Sequence, residues 1–184
     1  MNKVSLPIQP KVAITAILKT LPNKRLRDVV EKRFGLRGKK MTLDAIGKTY
    51  GITRERVRQI EQSALKHLAR AETVSYLEPV YKEIIRHMQN HGGVVEEKNL
   101  FNSLVEKNEH SYVELLLTLH KNLALAPETD SYNSRWFAEK ESLSKAEKTL
   151  QAVLEKLDST KTLLSYDKLV ALTADIAGSV IGNR

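Results

Sequence analysis

The chain has 184 residues, 41% of them hydrophobic, and a formal net charge of +8. That apolar content suffices for globular cores and is too high for general disorder, while the absence of cysteine excludes disulfides, thiolate metal sites and cysteine nucleophiles. No run of eighteen apolar residues occurs, and the start Met1-Asn2-Lys3-Val4-Ser5-Leu6-Pro7 is broken by charge and proline. Neither a membrane span nor a signal core is therefore expected, and the expected location is cytoplasmic.

The charge is uneven. Residues 1–75 carry 17 Lys+Arg against 6 Asp+Glu, which gives +11, whereas residues 76–184 carry 13 against 16, which gives −3. A basic first part joined to a slightly acidic remainder points to a polyanion partner for the first part alone.

Residues 1–10 read as an extended lead-in, with Pro7 and Pro10 bracketing its end. A helical pattern starts near Lys11, with Val12, Ile14, Ala16, Ile17 and Leu18 on its apolar side, and stops at Leu21-Pro22-Asn23. A second helix is expected from about Lys24 through Phe34, where Leu26, Val29, Val30 and Phe34 recur at three- and four-residue spacing. Gly35 occupies the position of a C-cap glycine, and the loop Leu36-Arg37-Gly38-Lys39-Lys40-Met41 after it is strongly basic.

Two helices separated by a tight turn come next. Thr42 is a good N-cap for a helix striped by Leu43, Ile46 and Tyr50; Gly51 supplies the turn and Thr53 caps the second helix. Val57, Ile60, Ala64, Leu65 and Leu68 give that helix an inner face, while Arg54, Glu55, Arg58, Gln59, Gln62 and Lys66 lie opposite. A helix packed on one side and polar in this way on the other suits a DNA major groove.

Arg33-Phe34-Gly35-Leu36, then Thr42-Leu43-Asp44-Ala45-Ile46-Gly47, then Gly51-Ile52-Thr53-Arg54-Glu55-Arg56-Val57-Arg58-Gln59-Ile60-Glu61, closely resemble region 4 of bacterial primary sigma factors in order and spacing. The resemblance covers about residues 11–70. It implies that Arg54, Glu55, Arg58 and Gln59 contact bases of a −35-like promoter element in double-stranded DNA. The chemistry agrees: Arg54 and Arg58 share a helix face and each can pair bidentately with guanine, a carboxylate can accept from cytosine N4, and an amide can address adenine. Arg37, Lys39, Lys40, Thr42, Thr53, Arg56, Gln62 and Lys66 are the expected phosphate contacts, which give affinity and salt dependence. The competing reading of the same residues is a solvated face laced with local pairs. Glu61 is expected to serve structure by pairing locally with Arg58 or Lys66, and Thr53 to act chiefly as a cap. The resemblance also implies docking on the RNA polymerase β-subunit flap through the first helices and the end of the recognition helix. Nothing in the chain resembles the aromatic segment that melts the −10 element or the clamp-binding helix of a complete sigma factor.

Residues 71–77 read as a linker or as a continuation of the last helix. A second pattern then opens with Tyr81, Ile84, Ile85 and Met88 and breaks at His91-Gly92-Gly93. Val94-Val95 is a short apolar pair, Lys98–Val105 and Ser111–Leu123 are helical, and Leu123–Phe137 reads as strand, turn, strand across Pro127-Glu128-Thr129-Asp130-Ser131. Three helices, the Gly-Gly break and Arg135-Trp136-Phe137-Ala138 as a second wing strand resemble the winged helix of the RNA polymerase delta subunit, a class also fused to restriction and chromatin-linked proteins. Acidic residues outnumber basic ones there, so another protein is at least as good a partner as DNA.

Self-similarity at an offset of 69 places Tyr81, Ile84, Ile85 and Met88 on Leu150, Val153, Leu154 and Leu157. Val94 and Val95 fall on Leu163 and Leu164, and Leu100 and Phe101 on Leu169 and Val170. The expected architecture is mainly α. A helix-turn-helix domain at 11–72 is followed by a winged-helix domain with a small β-hairpin at 76–140. A helical segment at 144–184 completes it as a partial second winged-helix repeat. On that reading the copy lacks a third helix and wing, and the chain is expected to be part of a longer protein.

No catalytic reading emerges. His67, His87, His91, His110 and His120 show no ligand spacing with carboxylates, no glycine loop cradles phosphate, and Glu96-Glu97 looks like an exposed first helical turn. No cofactor and no metal are expected. The leading expectation is a sequence-specific, sigma-like transcription protein. Its rivals are a polymerase- or protein-interaction module that does not read DNA sequence, and the targeting part of a larger DNA-processing enzyme.

Overall fold

The computed structural model describes residues 3–160 and 164–182. Among these the protein is mainly helical with one small three-stranded antiparallel sheet. In the lead-in, Leu6 is buried and the Val4 N–H donates to the Ser103 carbonyl at 2.8 Å, so this segment is tied down although it is not helical. Helix α1 (Pro10–Leu18) begins one residue before the apolar pattern indicates, since proline is tolerated at N1, where no intrahelical N–H bond is needed. Helix α2 (Lys24–Phe34) is capped by the Asn23 side chain, which accepts from the Leu26 N–H at 2.9 Å. It stops at Gly35, whose φ of +70° is a left-handed conformation that costs glycine little. Helices α3 (Leu43–Tyr50) and α4 (Arg54–Leu68) start at their threonine caps and are joined across Gly51, also left-handed.

Residues 71–77 are neither a linker nor a continuation of α4. Arg70 is extended, a new helix α5 (Ala71–Asn90) starts directly after it, and Leu77 is wholly buried. The apolar face of α5 therefore starts a turn earlier than Tyr81, with Leu77, Val80, Tyr81, Ile84 and Met88 all fully buried. The helix ends through Gly92 and Gly93, both at positive φ, and Gly93 N–H closes onto the Met88 carbonyl at 2.8 Å.

Strand β1 (Val94–Glu96), helix α6 (Glu97–Leu104), a 3-10 turn (Lys107–Glu109), helix α7 (His110–Leu119) and strands β2 (Ala124–Ala126) and β3 (Arg135–Phe137) come next. The sheet order is β1-β3-β2, with Trp136 paired to Val95 on one side and Leu125 on the other. Trp136 is buried and its indole N–H donates to Glu97 Oε1 at 3.1 Å. Helix α7 is shorter than the leucine run suggests, because His120 is already extended and Leu123 leads into β2. Helices α8 (Lys140–Thr160) and α9 (Tyr166–Gly182) pack on each other and complete the described chain. Residues 183 and 184, and Leu163 of the aligned repeat, lie outside the described residues; Leu164 is not in a strand. No helix among the described residues is long and apolar enough to cross a membrane.

One cluster of buried side chains runs from Leu6 through α1, α2, α5, α6 and α7 to Trp136. Helix α7 lies at its centre. Helices α1 and α2 pack on it from one side and α6 from another, while the Tyr81 hydroxyl of α5 donates to the Leu116 carbonyl at 2.9 Å. Burial pushes the Tyr81 pKa far up, which keeps the hydroxyl a donor. Polar contacts seal the seam: Tyr112 donates to the Leu36 carbonyl (2.9 Å), Lys40 pairs with Glu114 (2.5 Å) and Lys11 with Glu109 (3.6 Å).

Three histidines of this region, His87, His110 and His120, have pKa values lowered chiefly by burial. His110 Nε2 is buried beside the Phe101 ring and has no hydrogen-bond partner among the described residues. The folded chain thus favours the neutral imidazoles, and the unfolded chain takes up protons first. Stability is full above the ordinary histidine value of about 6.5 and is lost as pH falls through it. Melting curves between pH 7.5 and 5 should show a falling Tm, with a shallower fall in His110→Phe; an equal slope in that variant would remove His110 from the cause.

Candidate nucleic-acid interface

The helix-turn-helix is held by a small apolar cluster, Val29 of α2, Ile46 of α3, and Val57 and Ile60 of α4. Gly47 lets the two helices close. A Cβ at this position would stand 2.6 Å from the Ile52 carbonyl oxygen, and the Ile52 N–H itself bonds to the Gly47 carbonyl at 3.0 Å. Thr42 Oγ1 accepts from the Ala45 N–H and Thr53 Oγ1 from the Arg56 N–H, each at 3.1 Å, which fixes both helix starts.

Arg33 then locks α4 to α2. Its Nε donates to Glu61 Oε1 at 3.1 Å and its Nη1 to the Met41 carbonyl at 2.8 Å. Glu61 is structural as the sequence suggests, but its partner is Arg33 on a neighbouring helix, not Arg58 or Lys66. Helix packing brings α2 alongside, and a planar guanidinium can hold a carboxylate and a carbonyl at once.

With Val57, Ile60, Ala64 and Leu68 buried, the other side of α4 faces solvent. Arg54, Glu55, Arg56, Arg58, Gln59, Gln62 and Lys66 are all exposed. Four of them form a connected network. Arg58 donates to both Glu55 oxygens (Nε at 2.8 Å, Nη2 at 2.7 Å), Gln59 donates to Glu55 (3.4 Å), and Arg56 donates to Gln59 Oε1 (3.1 Å). The hydrogen bond from Arg58 holds the Glu55 carboxyl below its ordinary value, and Glu55 in turn raises Arg58. Arg54 lies 3.9 Å from Asp44 across the turn. The face thus presents three guanidinium groups, a carboxylate and an amide within the first two turns of one helix, groups of the kinds that pair with base edges and phosphates.

The expected phosphate contacts divide. Thr42 and Thr53 sit at helix N-termini, where N–H groups and the helix dipole favour an anion, and Arg56, Gln62 and Lys66 flank the α4 face. The basic loop is engaged elsewhere: Arg37 pairs with Glu31 at 3.1 Å, Lys40 pairs with Glu114 of α7, and Lys39 is exposed. A second basic cluster is not among the sequence-based expectations. The Arg25 guanidinium lies 5.1 Å and the Lys32 ammonium 4.7 Å from the Tyr50 ring centre, with Lys24 and Asp28 bordering the same groove. Its signal in the chain is the Lys24-Arg25 pair opening α2, with Lys32 two turns on and so on the same side.

Among the described residues there is no group of three or more His, Asp or Glu able to hold a metal. The His87 and His91 rings lie 4.4 Å apart, and His87 Nε2 bonds the Ser103 hydroxyl at 2.9 Å.

Residues 17–70, from the end of α1 through α4, match the sequence model of the family described as Sigma-70, region 4. This part of the chain is a helix-turn-helix-like region of the kind found in DNA-binding transcription factors. The matched family is a non-catalytic transcription-factor domain.

Arg33→Ala leaves the Glu61 carboxylate and the Met41 carbonyl without their shared donor. Urea unfolding should show a loss of about 1–3 kcal/mol. Arg33→Lys should not restore it, because one ammonium lacks the fork geometry; full recovery with lysine would reduce the contact to simple charge.

Proposed function

We propose that this chain is a cytoplasmic transcription protein that binds double-stranded, promoter-like DNA and reads a −35-like element through α4. Arg58 and Arg54 are the guanine readers, Glu55 and Gln59 the adjacent base contacts. Arg56, Gln62, Lys66, Lys39 and the helix starts at Thr42 and Thr53 hold phosphates, with Arg37 and Lys40 reaching DNA only by leaving Glu31 and Glu114. The observation that carries the reading is the Arg58–Glu55–Gln59–Arg56 network on the solvent side of a helix whose other side is fully packed. These side chains are oriented by one another before DNA arrives, and exposed pairs of this kind are exchanged for base contacts at little cost.

A second feature supports docking on RNA polymerase, the flap of its β subunit being the expected site. A groove of about 300 Å3 is bordered by Ala16, Ile17 and Thr20 of α1 and its end, His67 and Arg70 at the end of α4, and Tyr76 of α5. Tyr76 is 43% exposed there. This is the surface formed by the first helix and the end of the recognition helix.

For the second half, the order α5-β1-α6-α7-β2-β3 with sheet order β1-β3-β2 supports a winged-helix reading. Its third helix, α7, is covered by α1 and α2, which favours a protein-binding or scaffolding role over groove insertion.

Fluorescence anisotropy with a −35-like and a scrambled duplex across a salt series tests the proposal. The promoter duplex should bind more tightly, and Arg58→Ala should weaken it by roughly 5- to 150-fold while leaving the scrambled duplex little changed. Lys66→Ala should weaken both alike and lower the salt slope by about 1. Equal binding of the two duplexes by the unsubstituted chain would overturn base reading and leave the polymerase-docking role in its place.

A further inference from the structure

Two grooves meet at the start of α2. One, of about 420 Å3, runs between Asn23, Arg25 and Leu26 on one side and Arg56, Gln59 and Ser63 of α4 on the other. The second, of about 690 Å3, is bordered by Lys24, Arg25, Asp28, Lys32 and Tyr50. Arg25 belongs to both, so a cationic surface leads from the polar face of α4 across α2 to the end of α3. Three cations in the second groove, Lys24, Arg25 and Lys32, face one carboxylate, Asp28. Lys24 and Arg25 are exposed and have no carboxylate partner among the described residues. Arg25 lies instead over the Tyr50 ring, a cation–π contact that holds it in place while leaving its charge unneutralised. Lys32 is half-buried, pairs with Asp28 at 2.5 Å and donates to the Tyr50 hydroxyl at 3.3 Å. The basic loop before α3 differs, because there Arg37 and Lys40 are both met by glutamates.

We propose that the Lys24–Lys32–Tyr50 groove is a second DNA contact, which takes the sugar–phosphate backbone beside the segment that α4 reads, and that Asp28 limits its strength. The inference rests on the reading that α4 lies against DNA, and it adds a part of the chain outside α4 and the two threonine caps. Spacing favours a polymer over a small anion. Lys24 and Lys32 are eight residues apart on one helix, about 12 Å, a length over which one DNA strand presents roughly three or four phosphates. Continuity favours DNA over an acidic protein segment: Arg25 shares its first groove with Arg56 and Gln59, so a duplex seated on α4 meets α2 with its backbone. Contacts of this kind add affinity and salt dependence without sequence choice. Asp28 opposes them twice, by neutralising Lys32 and by placing a like charge near the phosphates.

Anisotropy of the full chain on the scrambled duplex isolates this contact, since no base reading contributes there. Lys24→Gln/Lys32→Gln should weaken binding about three- to tenfold and lower the slope of log affinity against log salt by about 1 to 2. Asp28→Asn should act in the opposite direction, with tighter binding and a steeper slope. Lys148→Gln in α8 is the control for net charge and should change neither. Lys24→Gln alone, at an exposed position, replaces the double variant if thermal unfolding shows that one to be destabilised. No effect of the α2 variants, or an equal effect of Lys148→Gln, overturns the proposal. So does loss of binding to a labelled oligoglutamate peptide with DNA binding unchanged, which would assign the groove to an acidic protein segment. The result is separable from base reading. Equal binding of promoter and scrambled duplexes leaves this contact standing, whereas an intact promoter preference with a salt slope indifferent to Lys24 and Lys32 removes it and spares α4.

Discussion

Leu115, Leu116 and Leu117 are consecutive in α7 and all three are fully buried. Successive helical residues point about 100° apart, so three of them can be buried only if the helix is covered on nearly every side. Helices α5 and α6 supply part of the cover, and α1 and α2 supply the rest. The helix-turn-helix half is therefore not an independent bead on a string at this seam: its first two helices complete the core of the second half. The orientation of α4 depends on that arrangement, because α2 is also the helix against which α4 is fixed through Arg33 and Glu61.

The same seam accounts for the distribution of charge. The first 75 residues are strongly basic, yet part of that charge is neutralised within the protein, where Glu109 and Glu114 take Lys11 and Lys40. Exposed basic residues remain on α4 (Arg54, Arg56, Arg58 and Lys66), at the start of α2 (Lys24 and Arg25) and in the loop before α3 (Arg37 and Lys39). On α4 itself, the bidentate pair between Arg58 and Glu55 limits the rotamers of both side chains, and its exposed position keeps it weak.

Much of this was legible in the sequence, and the parts that were share a physical character. The threonine caps at Thr42 and Thr53, the left-handed glycines at 35 and 51 and the Gly92-Gly93 stop are local devices, decided within a few residues of chain. The outward side of α4 was legible for the same reason, since its inner residues recur at helical spacing. What was not legible depends on distant segments. Leu77 reads as part of a linker until α5 is seen packed in the core. Glu61 has Arg58 and Lys66 near it in sequence but finds Arg33 in space. Lys40 has Lys39 and Gly38 beside it in sequence and meets Glu114 of α7 in space, a pairing that no local pattern reveals. The Arg25–Lys32–Tyr50 cluster was likewise hidden, because it unites α2 with the last residue of α3.

The offset of 69 residues shows how one pattern acquires two outcomes. In α5 and α6 the apolar positions are buried because α7 comes after them and folds back over them. In α8 and α9 the same positions carry smaller or non-hydrogen-bonding side chains, Leu150 for Tyr81 and Val170 for Phe101, and remain substantially in solvent. Loss of the Tyr81 hydroxyl is informative here. A tyrosine without a carbonyl above it would gain nothing from its oxygen, and leucine makes apolar contact alone. Exposed apolar residues scattered singly carry no meaning. Leu150 and Leu154 stand one turn apart on α8, with Val170 on the helix packed against it; Leu150 and Val170 align with the buried Tyr81 and Phe101, and Leu154 with the partly buried Ile85. Helices α8 and α9 pack directly on each other, so the repeated pattern ends in an arrangement different from that of α5 and α6.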